Sequence, residues 1–288
     1  MEELASGFGL IEGPTWDPGR GLLFSDVPNG GVFCLDEAGR VSTVVEHRRG
    51  IGGLALHADG GLVVGGRNVA YKGPRAPGTV VLLPGDCVEG IVGFNDLTTD
   101  EAGRVYVGSL GSSPFEPEGA RRSGYLHVID LDGSSRVLAP DIKLTNGLGF
   151  SPDGKRLYHC DSRNGFVGVY GVHADGTVGP REVFARVAPG IPDGLAVAED
   201  GSLWVAMARG DAVLVLAPEG TIRERIPTVH MPTSVCFGGA DLRDLYVVSG
   251  SDGTGREDGG GVYRMRVDVP GLPVPPARVS IKLPSKDK

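Results

Sequence analysis

The sequence predicts an all-β chain folded as a six-bladed β-propeller, and three observations carry that prediction. A strand, turn, strand pattern recurs six times along the 288 residues, successive copies begin 40 to 51 residues apart, and no long segment has helical period. That spacing is the length of a four-stranded antiparallel blade.

The copies read in order as EGPTWDPGRGLLFSD (12–26), GGLALHADGGLVVG (52–65), NDLTTDEAGRVYVG (95–108), NGLGFSPDGKRLYHC (146–160), DGLAVAEDGSLWVA (193–206) and TSVCFGGADLRDLYVVS (233–249). Each has alternating apolar positions, a turn rich in Asp and Gly, then a second alternating strand. The stretches between them supply the outer strands: GVFCLDEAGRVSTVV (31–45), GYLHVIDLDGSSRVL (124–138) and AVLVLAPEGTIRERI (212–226) each read as strand, turn, strand. ADG, PDG, EDG and LDG are hairpin tips, where positive φ or an Asx hydrogen bond is needed. Closing the ring requires the last blade to meet the first, a role for GVYRMRV (261–267) and the N-terminal residues. One domain over 1–288 follows, with the Pro-rich tail beyond 268 peripheral.

Composition narrows the function. With 48 Gly and 21 Pro but 40% hydrophobic residues, the chain has frequent turns and enough apolar material for a core. A net charge of -8 disfavours nucleic acid or an anionic membrane as partner, since both require a basic footprint. A small molecule or a cation fits better, on a monomer or weak homo-oligomer. The opening MEELASGFGL has neither a basic start nor an apolar run, so a cytoplasmic location is expected. Cys34, Cys87, Cys160 and Cys236 lie far apart and read as reduced thiols. The six His residues fall at different phases of the repeat, in no ligand pairing, and GSLGSS (108–113) is not a nucleophile elbow. SGSDGTGREDGGG (249–261) lacks the Lys-Ser/Thr and helix of a phosphate cradle and reads as a connector.

Chemistry is expected where the innermost strands begin, because all of them start around one end of one channel. The residues there are Glu12, Gly52, Asn95, Asn146, Asp193 and Thr233. Two carboxylates and two carboxamides, Glu12, Asp193, Asn95 and Asn146, form a hard oxygen cage for one divalent cation. Calcium suits it first, and Mg²⁺, Mn²⁺ or Zn²⁺ can be accommodated.

EGPTW (12–16), FNDLTTDEAGRVYVG (94–108), TNGLGFSPDGKRLYHCDS (145–162), PDGLAVAEDGSLWVA (192–206) and VCFGGADLRDLYV (235–247) together resemble the family of senescence marker protein (regucalcin), gluconolactonase and luciferin-regenerating enzyme. The resemblance implies a six-bladed propeller holding a divalent cation through Glu12, Asn95, Asn146 and Asp193, with lactone hydrolysis in which the cation polarises the carbonyl and Asp193 assists water. Asn95, Asn146 and Phe94 are then expected against the substrate. Sugar-lactone members carry an Arg where this chain has Gly93, and an acidic residue where it has Ala120. With Val92 and Phe94 nearby, a less polar lactone becomes credible beside a sugar-acid lactone, whose hydroxyls Arg67, Asn68, Arg121 or Arg122 can approach from other loops. A calcium- or ligand-binding propeller without turnover, or a phosphotriesterase-like hydrolase, would use the same four ligands.

Overall fold

A computed structural model describes residues 1–74, 78–114, 116–251 and 258–281. These form six antiparallel sheets of four strands, each built from strands consecutive in sequence except one. In that exception Glu2–Phe8 lies outermost against Gly260–Arg266, so first and last segments share a blade and the ring is closed by backbone hydrogen bonds. Residues 252–257 of the 249–261 connector fall outside the described residues.

The innermost strands are Ile11–Asp17, Leu54–Leu56, Gly93–Thr99, Thr145–Phe150, Ile191–Val197 and Pro232–Gly238. Apolar residues from each blade fill the gap to the next: Tyr158, Cys160 and Val167 of the fourth blade pack on Leu195, Val197, Val205 and Leu214 of the fifth. Each such side chain leaves water for about 1.5–3 kcal/mol, so blades are stable only against one another.

Five of the six innermost strands slip register near their start, between Glu12 and Thr15, Phe94 and Leu97, Thr145 and Leu148, Pro192 and Leu195, and Pro232 and Ser234. A bulge releases residues from the ladder and re-aims their side chains. Here it turns Asn95, Asn146, Asp193 and Thr233 out of the blade, with Glu12 at the edge of its own. In four blades close approach of the next blade is met by glycine at the following residue, Gly13, Gly53, Gly147 and Gly194. A Cβ on Gly13 would stand 3.0 Å from Leu54 N, and one on Gly147 2.4 Å from Leu195 N.

The tail is not peripheral. From the sixth blade, Gly271 N bonds Leu242 O (2.7 Å) and Leu272 N bonds Val197 O (2.8 Å) of the fifth. The chain then reaches the opposite side, where Thr99 Oγ1 donates to Pro275 O and Ala277 N bonds Leu56 O (2.7 Å). Val279 is 1% exposed and joins the core between the second and third blades. The tail therefore crosses the far end of the channel, leaving the end where the inner strands begin as the mouth. Its Pro and Gly residues hid this in the sequence, because a strap needs only backbone bonds to hairpin ends and a few apolar anchors.

Candidate active site at the channel mouth

Of the six residues at the starts of the inner strands, two have structural duties. Thr233 Oγ1 donates to Ile11 O (2.5 Å), joining the sixth blade to the first. Gly52 leaves room for its neighbour, since a Cβ there would lie 1.8 Å from Asn95 Oδ1. The other four are the predicted donors. Glu12, Asn146 and Asp193 are each 8% exposed, and Asn95 is partly buried.

A hydrogen-bond relay orients the amides. Pro192 offers only a carbonyl, so Ser162 Oγ must donate to it (2.6 Å), and its lone pairs then accept from Asn146 Nδ2 (2.8 Å). Asn146 Oδ1 consequently faces Asn95, whose Nδ2 donates to it and to Thr145 O (2.9 Å). Asn95 Oδ1 is left on the Gly52 side. Ser162 sits in a 3₁₀ turn, Ser162–Asn164, directly after the second strand of the fourth blade. No repeat position marked it in the sequence.

Apart from the Gly194 backbone N–H on Asp193, the carboxylates lack compensating partners among the described residues. Asp193 Oδ1 is buried with no hydrogen-bond partner. Burial, then the charges of Asp193 and Asp96, push the Glu12 carboxyl well above its ordinary range. Burial and Asp96 do the same to Asp193. Asp96 is itself pushed up to about 7 by burial. Sequence reasoning missed Asp96, although the register marks it: the equivalent residue is Gly13, Gly53, Gly147 or Gly194 in four other blades. Among the described residues no three His, Cys, Asp or Glu side chains converge as a metal cluster, so a cation here would rely on the carboxamides. Concentrated negative charge, an orphaned carboxylate oxygen and oxygen-only donors fit a hard divalent cation.

Phe94 is a correction. Its ring is 2% exposed, packed with Val63, Val69, Leu97 and Val107 and edge-on to His127 at 5.6 Å, because the alternation of the strand carries it into the core beside the bulge. Only its backbone faces the mouth, bonded to Gly66. Val92 and Ala120 are exposed. His127 and His159 are buried and bonded not to the donors but to Ser109 Oγ (2.9 Å) and Thr145 Oγ1 (2.7 Å), and burial lowers them to about 4 and about 3. The four cysteines are free. Arg163 holds residues 112–114, its guanidinium donating to Ser112 Oγ, Ser113 O and Pro114 O.

Residues 10–251 match the model of the SMP-30/gluconolactonase/LRE-like region. The chain belongs to this family. It is 34% identical to a 6-deoxy-6-sulfogluconolactonase of Pseudomonas putida over 92% of its own length and 94% of the relative's. It is 32% identical to a pentonolactonase of Haloferax volcanii, covering 92% and 93%. The solved structure of a calcium-binding regucalcin from Agrobacterium tumefaciens superposes with a TM-score of 0.84 over 96% of this chain and 97% of that one, at 22% identity, and shares the six-bladed propeller. No helix of the described residues is long and apolar enough to cross a membrane.

Proposed function

We propose that the chain hydrolyses lactones, of sugar acids or of less polar small acids, at this mouth with one divalent cation held by Glu12, Asn95, Asn146 and Asp193. The observation that carries the reading is the buried, partnerless Asp193 Oδ1 beside two amides and a second carboxyl. The lactonase names of the Pseudomonas and Haloferax relatives support the ester chemistry.

A hard divalent cation, calcium first and Mg²⁺, Mn²⁺ or Zn²⁺ also compatible with the donors, supplies Lewis acidity toward the lactone carbonyl when bound. In this reading Asp193 accepts the proton of the attacking water, its buried carboxylate being held ionised by the cation. Glu12 brings the second negative charge. Asn95 and Asn146 contribute neutral oxygens in orientations set by Thr145, Ser162 and Pro192, and contact the substrate's ester end. The tail crosses the far end of the channel, and in this reading substrate enters and product leaves by the mouth.

A second reading, calcium binding without turnover, is favoured by the calcium-binding description of the Agrobacterium regucalcin. A pH-stat panel of lactones, linear esters and phosphotriesters, run with added calcium and after chelation, separates the two. Chelation-sensitive turnover of a lactone is expected; no turnover of any member would leave the binding reading.

A further inference from the structure

We propose that Arg48 and Arg67 form an anion subsite beside Asn95 and that the lactone acted on carries a negatively charged group, a carboxylate, sulfonate or phosphate, remote from its ester. The inference deepens the lactonase reading and rests on it for the word lactone. The anion subsite itself rests on geometry.

Arg48 is held rigidly by neutral acceptors. Its Nη2 donates to Gly65 O (3.1 Å), Asn68 O (2.9 Å) and Asn68 Oδ1 (2.8 Å), while its Nε is buried without a partner. Arg67, exposed, lies close enough that its charge adds to burial in disfavouring a proton on Arg48. Neither guanidinium meets a carboxylate among the described residues. Elsewhere in this acidic chain arginines pair readily, Arg104 with Asp100, Arg136 with Asp130 and Arg181 with Asp161. Two neighbouring guanidiniums without a counter-charge repel one another, and an oxyanion between them would relieve that repulsion while matching their planar donors.

The pair is fixed next to the reaction site. Gly66 and Phe94 exchange two backbone hydrogen bonds, of 3.0 and 2.7 Å. A Cβ on Gly65 would stand 2.7 Å from Asn95 O, so the residue whose carbonyl holds Arg48 abuts the backbone of Asn95. A Cβ on Gly93 would meet Gly66 O at 3.1 Å and Arg67 Cα at 3.6 Å; glycine keeps the wall beside Arg67 open. A lactone with its carbonyl at the Asn95 and Asn146 amides can therefore extend its distal end toward the arginines.

The test compares glucono-1,5-lactone with its 6-phosphate and with 6-deoxy-6-sulfogluconolactone, on the full-length protein and on Arg67→Gln and Arg48→Gln, at low and high salt. The expected result is a kcat/KM ratio of charged to neutral lactone of roughly tenfold or more, weakened by salt and collapsing toward one in Arg67→Gln. Arg48→Gln should act likewise; because Arg48 also braces its loop, Arg67→Gln decides if Arg48→Gln does not fold. Calorimetry with methyl 6-sulfoquinovoside, which has the sulfonate but no ester, against methyl glucoside gives a readout independent of turnover. Sulfonate binding lost in Arg67→Gln, with no lactone hydrolysed, would uphold the subsite and refute the lactonase reading. Lactones hydrolysed at the same charge ratio by wild type and Arg67→Gln, with sulfonate binding unchanged, would overturn the subsite.

Discussion

Replacing Ser162 by Ala tests whether the hydrogen-bond relay, rather than the donor residues alone, builds the cation site. The hydroxyl accepts from Asn146 Nδ2 at 2.8 Å and donates to Pro192 O at 2.6 Å, and it is 4% exposed. Alanine leaves an amide donor and a carbonyl unsatisfied in a buried setting, each costing about 1–3 kcal/mol, so a stability loss of about 2 kcal/mol or more is expected. In a chain of this size that lowers Tm by roughly 4–8 °C. The larger consequence is orientational. Without the acceptor, the Asn146 amide can turn its nitrogen inward, and the strand leading to Asp193 loses its tether at Pro192. Outer partners of metal ligands are typically worth 10- to 100-fold in affinity, or about 1.4–2.7 kcal/mol. Calcium titration by calorimetry, with Tm measured at saturating calcium, separates the effects. A Tm drop of the expected size with calcium affinity within twofold of wild type would refute the relay and make Ser162 purely structural.

Asp193→Asn keeps an oxygen toward the cation but removes a charge and the proton acceptor, so kcat should fall roughly 10²–10⁴-fold at verified cation saturation; near wild-type kcat in the fully loaded variant would move the base elsewhere. Because burial raises Glu12, Asp193 and Asp96, the last to about 7, the cation-free protein holds protons that binding must expel. Calorimetry in buffers of different ionisation enthalpy should show proton release near pH 6 and affinity rising with pH through about 7, and a flat profile would contradict it. The sign reverses for the chelated protein. Its carboxyls have folded pKa values above their unfolded ones, so stability is greatest below about pH 4 on their account and falls as pH rises through about 7. Deleting residues 268–288 removes Leu272, Ala277 and Val279 and uncovers the apolar residues they pack on, among them Val197, Ala55 and Leu97; a loss of roughly 5 kcal/mol and more than about 10 °C in Tm is expected by calorimetry, and a change of only a degree or two would return the tail to the periphery.

What the sequence by itself determined is the repeat and everything that follows from register. Strand alternation and Asp-Gly turns are local, so six copies at blade spacing implied six blades, and aligning them placed Glu12, Asn95, Asn146 and Asp193 at one mouth before any contact was known. The same register held one more signal: glycine follows the first position in four copies, and Asp96 breaks that rule. Tertiary structure decided the rest, because it depends on residues that share no repeat phase. Phe94 stands beside a bulge, and the pleat there, invisible in a residue string, sends its ring into the core while Asn95 turns to the mouth. Ser162 acts through a carbonyl 30 residues away, and Arg48 through a loop 17 to 20 residues on. The tail has no strand pattern, since its backbone bonds go to hairpin ends of blades on opposite sides of the ring, and such contacts leave no periodicity to read.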